Sequence, residues 1–316
     1  MAQEVKEIIP PVERKKILSE LGKDRFARHT RKGNNEIYII NHHNSPHTMR
    51  EIGRLRELSF RSAGGGTKES IDIDQYDTCK NCYQQLIVWS PEDQEIIGGL
   101  RFINCAKVLT KEENQFIPMS TSHYFNFSTQ FKTDYLPYAF ELGRSWVQPM
   151  YQPSQNPRKG LFALDNLWDG LAMLTVLSAD LKYFFGKVTM YPDYHEESRD
   201  FLLYFLQIYF PDNEGLATSM YPLKQSYDEE KFATLLKGLD FKEGFKVLTH
   251  FVRENGENVP PLMNIYMHLS PTMRSFGTAV NPDFGGVEET GIVMTIADVY
   301  EEKKERHIVP IANLKS

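Results

Sequence analysis

A carboxylate and a guanidinium stand three residues apart in a segment that is typical of a strand, residues 139–147 (AFELGRSWV). In a regular strand Glu141 and Ser145 point to one face and Arg144 to the other. A glutamate can take a proton from a nucleophile, and an arginine can bind a carboxylate through two parallel hydrogen bonds. The alternative is a buried ion pair that stabilises a sheet. A bulge in the strand would bring both side chains to one pocket.

A helix start that could bind phosphate follows this strand. Asn156 is a typical N-cap, Pro157 suits the first helical position, and Arg158, Lys159 and Gly160 come next. The free N–H groups of a helix N-terminus and two nearby cations favour an anion. A purely structural helix start is the other interpretation.

Three carboxylates lie within six residues: Asp72, Asp74 and Asp77. Their spacing resembles a calcium loop, but the sixth loop position lacks glycine and Tyr83 stands at the twelfth, where a glutamate is required. Cys79 and Cys82 form a single CxxC without a second pair, so zinc would need ligands from elsewhere. We therefore expect no bound metal.

Alternating and helical apolar patterns predict the elements that position these residues. We expect helices over 49–60, from 157 onward and over 196–210, and strands over 86–89, 95–102, 139–147, 183–191 and 291–297. The strands at 86–89 and 95–102 form a hairpin around a turn at 91–93. Strands mixed with a few helices predict an α+β fold.

Composition limits the class of protein. The 316 residues carry 36 Lys plus Arg against 42 Asp plus Glu, a net charge of −6, so no overall positive field attracts nucleic acid. Three cysteines are too few for a disulfide framework, and the N-terminus has no secretory signal. These features predict a cytoplasmic protein.

The chain divides into three predicted regions. Residues 1–35 form a basic N-terminal arm, because eight Lys or Arg lie between Arg14 and Lys32. Residues 36–300 form the main domain, with a helical insertion at about 212–258, and residues 301–316 form a C-terminal tail. The arm is either a solvated segment or a docking surface for an acidic partner.

The order of these residues resembles a known family. Arg56 and Phe60, the aspartate cluster, Arg101 in GGLRF and the ELGRS segment follow one another as in the acyl-homoserine-lactone synthases, a branch of the GNAT acyltransferases. The chain is still more similar to the hemolysin-like GNATs, which include ornithine-lipid and glycine N-acyltransferases. The shared segments there are YDxC at 76–79, LIV at 86–88, ELGRS at 141–145, PPL at 260–262 and PDFG at 282–285.

The resemblance implies a GNAT fold with a mixed, mostly antiparallel central sheet flanked by helices. It implies a phosphopantetheine-binding group composed of Ser154, Asn156, Arg158, Lys159 and Gly160. The implied catalytic residues are Glu141 as the base, Arg144 as the ligand of the acceptor's carboxylate, Ser145, and Tyr191, or alternatively Tyr194, as the proton donor to the leaving thiolate. A third implied group orders a loop over the site: Arg56, Phe60, Asp72, Asp74, Asp77 and Arg101.

The predicted function is transfer of a fatty or 3-hydroxyfatty acyl chain from acyl carrier protein to the α-amine of glycine or ornithine. No bound cofactor is expected, and the co-substrate is an acyl-phosphopantetheine thioester on carrier protein or on CoA. The basic arm would attract the acidic carrier, or alternatively anionic lipid at the inner membrane face. The other functional hypotheses are O-acylation of a lysolipid and non-catalytic acyl binding at a membrane.

Overall fold

The computed structural model describes residues 4–107, 119–152 and 154–308. Within these ranges the chain forms ten strands and ten α-helices. The strands are β1 (Phe26–His29), β2 (Glu36–Ile40), β3 (Gln84–Ser90), β4 (Glu95–Asn104), β5 (Phe125–Phe127), β6 (Ala139–Val147), β7 (Tyr183–Met190), β8 (Ala217–Ser219), β9 (Arg274–Asn281) and β10 (Val287–Thr295). The helices are α1 (Arg14–Glu20), α2 (Pro46–Ser62), α3 (Gln75–Thr78), α4 (Pro157–Gly160), α5 (Ala163–Leu177), α6 (Glu196–Tyr209), α7 (Glu229–Leu236), α8 (Phe241–Glu254), α9 (Pro261–Met267) and α10 (Glu301–His307).

Eight of these strands form the central sheet, in the order β1-β2-β3-β4-β6-β7-β10-β9. The β6–β7 pair is parallel, and the other neighbouring pairs are antiparallel. The prediction of a mixed, mostly antiparallel sheet in an α+β fold is therefore confirmed. β5 and β8 form a separate two-stranded sheet.

The two faces of the central sheet are covered by different elements. Leu86, Leu100 and Leu142 pack with α5 residues such as Leu167 on one side, which we call the α5 face. Ile87 and other β3 and β4 side chains pack under α2 on the opposite side, the α2 face. Alternation along each strand separates these two groups of side chains.

The parallel pairing of β6 and β7 stops halfway along the strands. Their last partners are Leu142 and Gly186, after which β6 remains paired with β4 and β7 with β10. A Cβ atom on Gly186 would lie 2.3 Å from the carbonyl oxygen of Leu142, so the strands meet closely at this point and separate beyond it. We call this separation the fork.

A β-bulge lies in β6 just past the fork. Gly99 pairs with Trp146 and Arg101 with Gly143, so two residues of β6 oppose the single residue of β4 between these pairs. Arg144 is one of the two, with a φ of 48° in the left-handed region. The bulge turns its side chain to the α2 face, the same face as Glu141, as the sequence allowed.

Several predicted region boundaries need correction. Residues 1–35 are not a separate arm, because β1 pairs with β2 in the central sheet and Ile17 of α1 is buried against α2 residues. Residues 212–258 contain α7 and α8, but also β8. In the predicted tail, α10 packs on α5, where His307 Nδ1 lies 3.0 Å from Asp169 Oδ1. Residues 309–316 of that tail lie outside the described residues.

Gly186→Ala should destabilise the fold, since the new methyl group would push β7 away from Leu142. We expect the free energy of unfolding to fall by about 1–3 kcal/mol, measured by denaturant titration. The control is Gly143→Ala, whose added carbon would meet no atom closer than 3.7 Å. Equal unfolding midpoints for the two variants would contradict the close approach at the fork.

Candidate active site

A cavity of about 680 Å³ occupies the fork between β6 and β7. Its lining includes Leu142, Phe184 and Val188 from the core of the α5 face, and Phe185 and Trp146 from that of the α2 face. The cavity therefore passes through the sheet, and it has one arm on each face.

The arm on the α5 face is apolar. Its side chains come from α5, α9 and the strands on both sides of the fork. They include Ala163, Leu164, Leu167, Val188, Met190, Leu262, Tyr266, Ile292 and Met294. Such a lining suits a hydrocarbon chain, because each methylene transferred from water into it contributes about 0.8 kcal/mol.

The arm on the α2 face carries charge. Arg144 from β6, Lys187 from β7 and Glu289 from β10 line it, together with Ser120 and Tyr191. Two cations and a carboxylate in one small arm are complementary to a ligand that carries both signs of charge. This side of the cavity is therefore suited to a small zwitterion.

A buried ion cluster supports the wall of the charged arm. Arg56 is fully buried in α2, 3.0 Å from Asp72 Oδ2 and 3.1 Å from Asp77 Oδ2. Arg101 lies 2.8 Å from Asp74 Oδ2 and 3.2 Å from Asp77 Oδ2. Buried guanidinium groups need such partners, because an unpaired charge away from water is costly.

The same cluster holds Arg144. Its Nε lies 3.0 Å from Asp72 Oδ2, and its guanidinium lies 4.1 Å from the ring centroid of Phe284. Burial alone would raise the pKa of Asp77, but the charges of Arg56 and Arg101 hold it well below its usual range. Asp77 thus stays ionised, and Asp72 of the same cluster holds the bulge residue Arg144 in place.

Glu141 lies beneath the wall of the cavity. It is fully buried, and its carboxylate accepts hydrogen bonds from the Tyr83 hydroxyl, from Ser120 Oγ at 2.8 Å and from the Thr121 N–H at 2.9 Å. Glu141 is not part of the lining, whereas Ser120 is. Direct proton transfer from a bound amine to Glu141 is thus at odds with its position, since a base must reach the proton that it removes.

The predicted phosphopantetheine residues have different positions. Ser154 and Gly160 line the cavity. The Asn156 side chain caps α4 by accepting the Lys159 N–H at 3.1 Å. The Lys159 ammonium pairs with Asp93 Oδ1 at 2.7 Å, so it is engaged with the hairpin turn, while Arg158 is exposed.

Three further predicted residues line the cavity. Phe60 packs edge-to-face against Phe284 with ring centroids 5.3 Å apart. Ser145 is the second residue of the bulge, next to Arg144. Burial, with the charge of Glu289 beside it, raises the pKa of Tyr191 to about 12, so the phenol keeps its proton at neutral pH.

Sequence reasoning missed Lys187 and Glu289. Lys187 lies in the strand predicted over 183–191, whereas Glu289 precedes the strand predicted over 291–297 and belongs to the observed β10. For Lys187 a polar signal is present in the sequence, because Lys187 and Thr189 alternate with apolar residues in β7 (YFFGKVTM). Each alone is a common feature of a half-buried strand. Only the pairing of β7 with β10 brings Glu289 to the same place.

No group of three or more His, Cys, Asp or Glu that could hold a metal ion occurs within residues 4–107, 119–152 and 154–308. In the same ranges, the segment Pro157–Leu177 is long and apolar enough to span a membrane by composition, and half of its most apolar stretch is buried inside the protein, as in a core helix.

Residues 55–159, which include the ion cluster, the bulge and the first three residues of α4, match the family described as an acetyltransferase (GNAT) domain. The matched range contains β6 and its bulge, whereas β7 on the other side of the fork lies beyond it. A protein of Bacteroides thetaiotaomicron named glycine N(alpha)-acyltransferase is 53% identical over 96% of this chain and 90% of its own length. A protein of the same name from Phocaeicola vulgatus is 50% identical over 96% of this chain and 93% of its own length.

The chain belongs to the GNAT acyltransferase family, whose members use acyl thioester donors. No solved structure matches the chain significantly. The finer similarity to the lactone synthases and the hemolysin-like branch stays a prediction.

Arg56→Met should be strongly destabilising, because it leaves Asp72 and Asp77 buried without their shared cation. We expect the free energy of unfolding to fall by about 3–5 kcal/mol, measured by denaturant titration at neutral pH. Arg14→Met is the matched control. Arg14 pairs with Glu95 at an exposed site, and such pairs contribute about 0–1 kcal/mol. A similar loss in both variants would contradict the structural role of the cluster.

Proposed function

We propose that the protein transfers a fatty acyl chain from a thioester to the α-amine of glycine, and that acyl carrier protein is its donor. The names of the two relatives support glycine as the acceptor. The observation that carries the proposal is the cavity through the fork, which is apolar on the α5 face and charged on the α2 face. A long acyl chain and a small zwitterion are the two ligands that match these arms.

In this proposal the donor occupies the α5 face. The acyl chain lies in the apolar arm, and the phosphopantetheine extends from it out of the cavity past Ser154 and Gly160. The thioester carbonyl then reaches the fork, where β6 and β7 no longer pair with each other. Backbone N–H groups at the diverging edges can stabilise the oxyanion that forms on attack.

The acceptor occupies the charged arm, where Arg144 binds its carboxylate. The planar guanidinium offers parallel hydrogen bonds that a lysine cannot reproduce. The amine attacks the carbonyl carbon, the C–S bond breaks, and Tyr191 donates a proton to the departing thiolate. Most of the rate enhancement comes from holding amine and thioester together at the fork.

A carrier protein is favoured as the donor by the surface around the mouth of the α5 face. Lys32 lies over the Phe162 ring with Nζ 5.6 Å from its centroid, and Arg158 is exposed nearby in sequence. Met150 and Leu161 are 60% and 66% exposed beside the lining residues Tyr151 and Gly160. Cations around exposed apolar side chains are complementary to an acidic helical protein.

Arg144→Lys should impair acyl transfer to glycine, since it keeps the positive charge but loses the planar guanidinium with its parallel N–H donors. We expect the KM for glycine to rise about 10- to 100-fold with a smaller change in the donor's KM, measured as thiol release from an acyl carrier protein. Arg54→Lys in α2 is the matched control, because Arg54 pairs with Glu51 and neither residue lines the cavity.

A second assay measures thiol release and product formation by the wild-type protein with different acceptors. The acceptors are glycine, ornithine, lysine, serine and a lysolipid. Amide formation with glycine supports the proposal. Ester formation on the lysolipid, or thiol release without any acceptor, would refute it.

The combined change Lys32→Glu and Arg158→Glu should slow transfer from the carrier-bound donor and leave transfer from the same acyl chain on free pantetheine nearly unchanged. The reason is that opposite charge accelerates protein association, an effect that salt screens. The measurement is kcat/KM for both donors at low and at high salt. An equal loss with both donors would argue against a carrier docking surface at this mouth.

A further inference from the structure

The charged arm contains a buried acid–base pair. Lys187 and Glu289 lie on neighbouring strands, with Lys187 Nζ 3.4 Å from Glu289 Oε1. Their side chains are 9% and 3% exposed, and both line the cavity. Two charges at the bottom of a ligand cavity are costly to bury, which is typical of a functional site rather than of plain packing.

The surroundings hold the Glu289 carboxylate in one orientation. Asn281 Nδ2 donates to Oε1 at 2.9 Å, and Thr189 Oγ1 donates to Oε2 at 3.2 Å. With Lys187 these are three partners among the residues that the structure describes, whereas a carboxylate can accept about four hydrogen bonds. One accepting position therefore remains for a donor that enters the cavity.

Lys187 is also fixed in place. Its ammonium lies 4.1 Å from the ring centroid of Tyr124, a geometry in which the ring face attracts a cation. Burial lowers the pKa of Lys187, an effect that the charge of Glu289 opposes. Burial would raise the pKa of Glu289, but the charge of Lys187 and the hydrogen bond from Asn281 keep it below its usual value. The other titratable groups that act on the pair are Arg101, Tyr124, Glu141, Arg144 and Tyr191.

We infer that Glu289 binds the ammonium group of the acceptor amino acid and accepts one of its protons, while Lys187 and Arg144 together hold the acceptor's carboxylate. This inference rests on the proposed function. Glu289 meets the geometric requirement that Glu141 does not, because it lines the arm in which the amine must lie. An ionised carboxylate is ready to receive the ammonium on arrival.

The proton and electron balance of the step is complete. The ammonium loses one proton to Glu289, and the nitrogen lone pair forms the C–N bond. The C–S bond breaks with its electron pair on sulfur, which receives a proton from Tyr191. The second proton of the nitrogen returns to Tyr191 as the amide forms, and Glu289 releases its proton to solvent before the next turnover.

Glu289→Gln tests the inference, because it keeps the shape and the hydrogen bond from Asn281 but cannot accept a proton. We expect kcat/KM for glycine to fall about 100-fold or more at neutral pH. The deficit should shrink as pH rises, since solution then supplies the free amine. Glu288→Gln is the matched control, because the neighbouring residue pairs with Arg199 at 2.9 Å outside the cavity.

A deficit of the same size at every pH would overturn the inference, because a merely structural defect does not depend on the protonation of glycine. An unchanged rate in Glu289→Gln would overturn it as well. Binding of a thioether analogue of the acyl donor checks that each variant retains a folded donor site.

A second measurement separates this inference from the proposed function. Glycine is titrated calorimetrically into the protein loaded with the thioether analogue, which requires no turnover. Weaker glycine binding in Glu289→Gln than in the wild type and in Glu288→Gln supports the inference even if no amide is formed, in which case only the proposed function fails. Equal binding in all three proteins, or none in the wild type, overturns the inference.

Discussion

The loss of pairing between two parallel strands is the constraint on which the active site depends. β6 and β7 hold each other only up to Leu142 and Gly186, and each then follows its other neighbour. A continuous sheet is impermeable, because hydrogen-bonded strands leave no room between them. The fork opens a passage without exposing either strand, since both remain paired on their outer sides. The cavity, its two arms and the opposed placement of polar and apolar side chains all follow from this geometry.

The buried ion cluster determines what one side of that passage can recognise. A bulge whose arginine has a left-handed backbone conformation would be strained by itself. Asp72 and the Phe284 ring hold the Arg144 guanidinium from two sides, and Arg56 and Arg101 are the cations that pair with the aspartates. The cluster thus stabilises the fold and, in the proposed function, positions a cation for the acceptor's carboxylate. Its cost is a large set of charges taken out of water, which is tolerable because each has a partner.

Much of this architecture could be predicted from the sequence, because local patterns carry it. The bounds of β6 and the hairpin of β3 and β4 follow from apolar alternation and turn residues. Contacts between distant segments could not be read in this way. Asp93, in the turn of the hairpin, forms an ion pair with Lys159, which lies 66 residues further along the chain. Glu289 forms an ion pair with Lys187, 102 residues before it. The eight cations of residues 14–32 led to the prediction of a separate arm. That segment contains β1, an edge strand of the central sheet, and its pairing with β2 is not visible in the local sequence.

The passage through the sheet also has a kinetic consequence. In the proposed function the two substrates arrive at opposite faces and do not compete for one entrance, so both can be bound before any bond changes. After transfer, the amide product would lie across the sheet with its tail on the α5 face and its carboxylate on the α2 face. The thiol product still fills the mouth through which that tail must withdraw. For the proposed function, the geometry therefore imposes an order of product release, in which the carrier departs first and the acyl amino acid last.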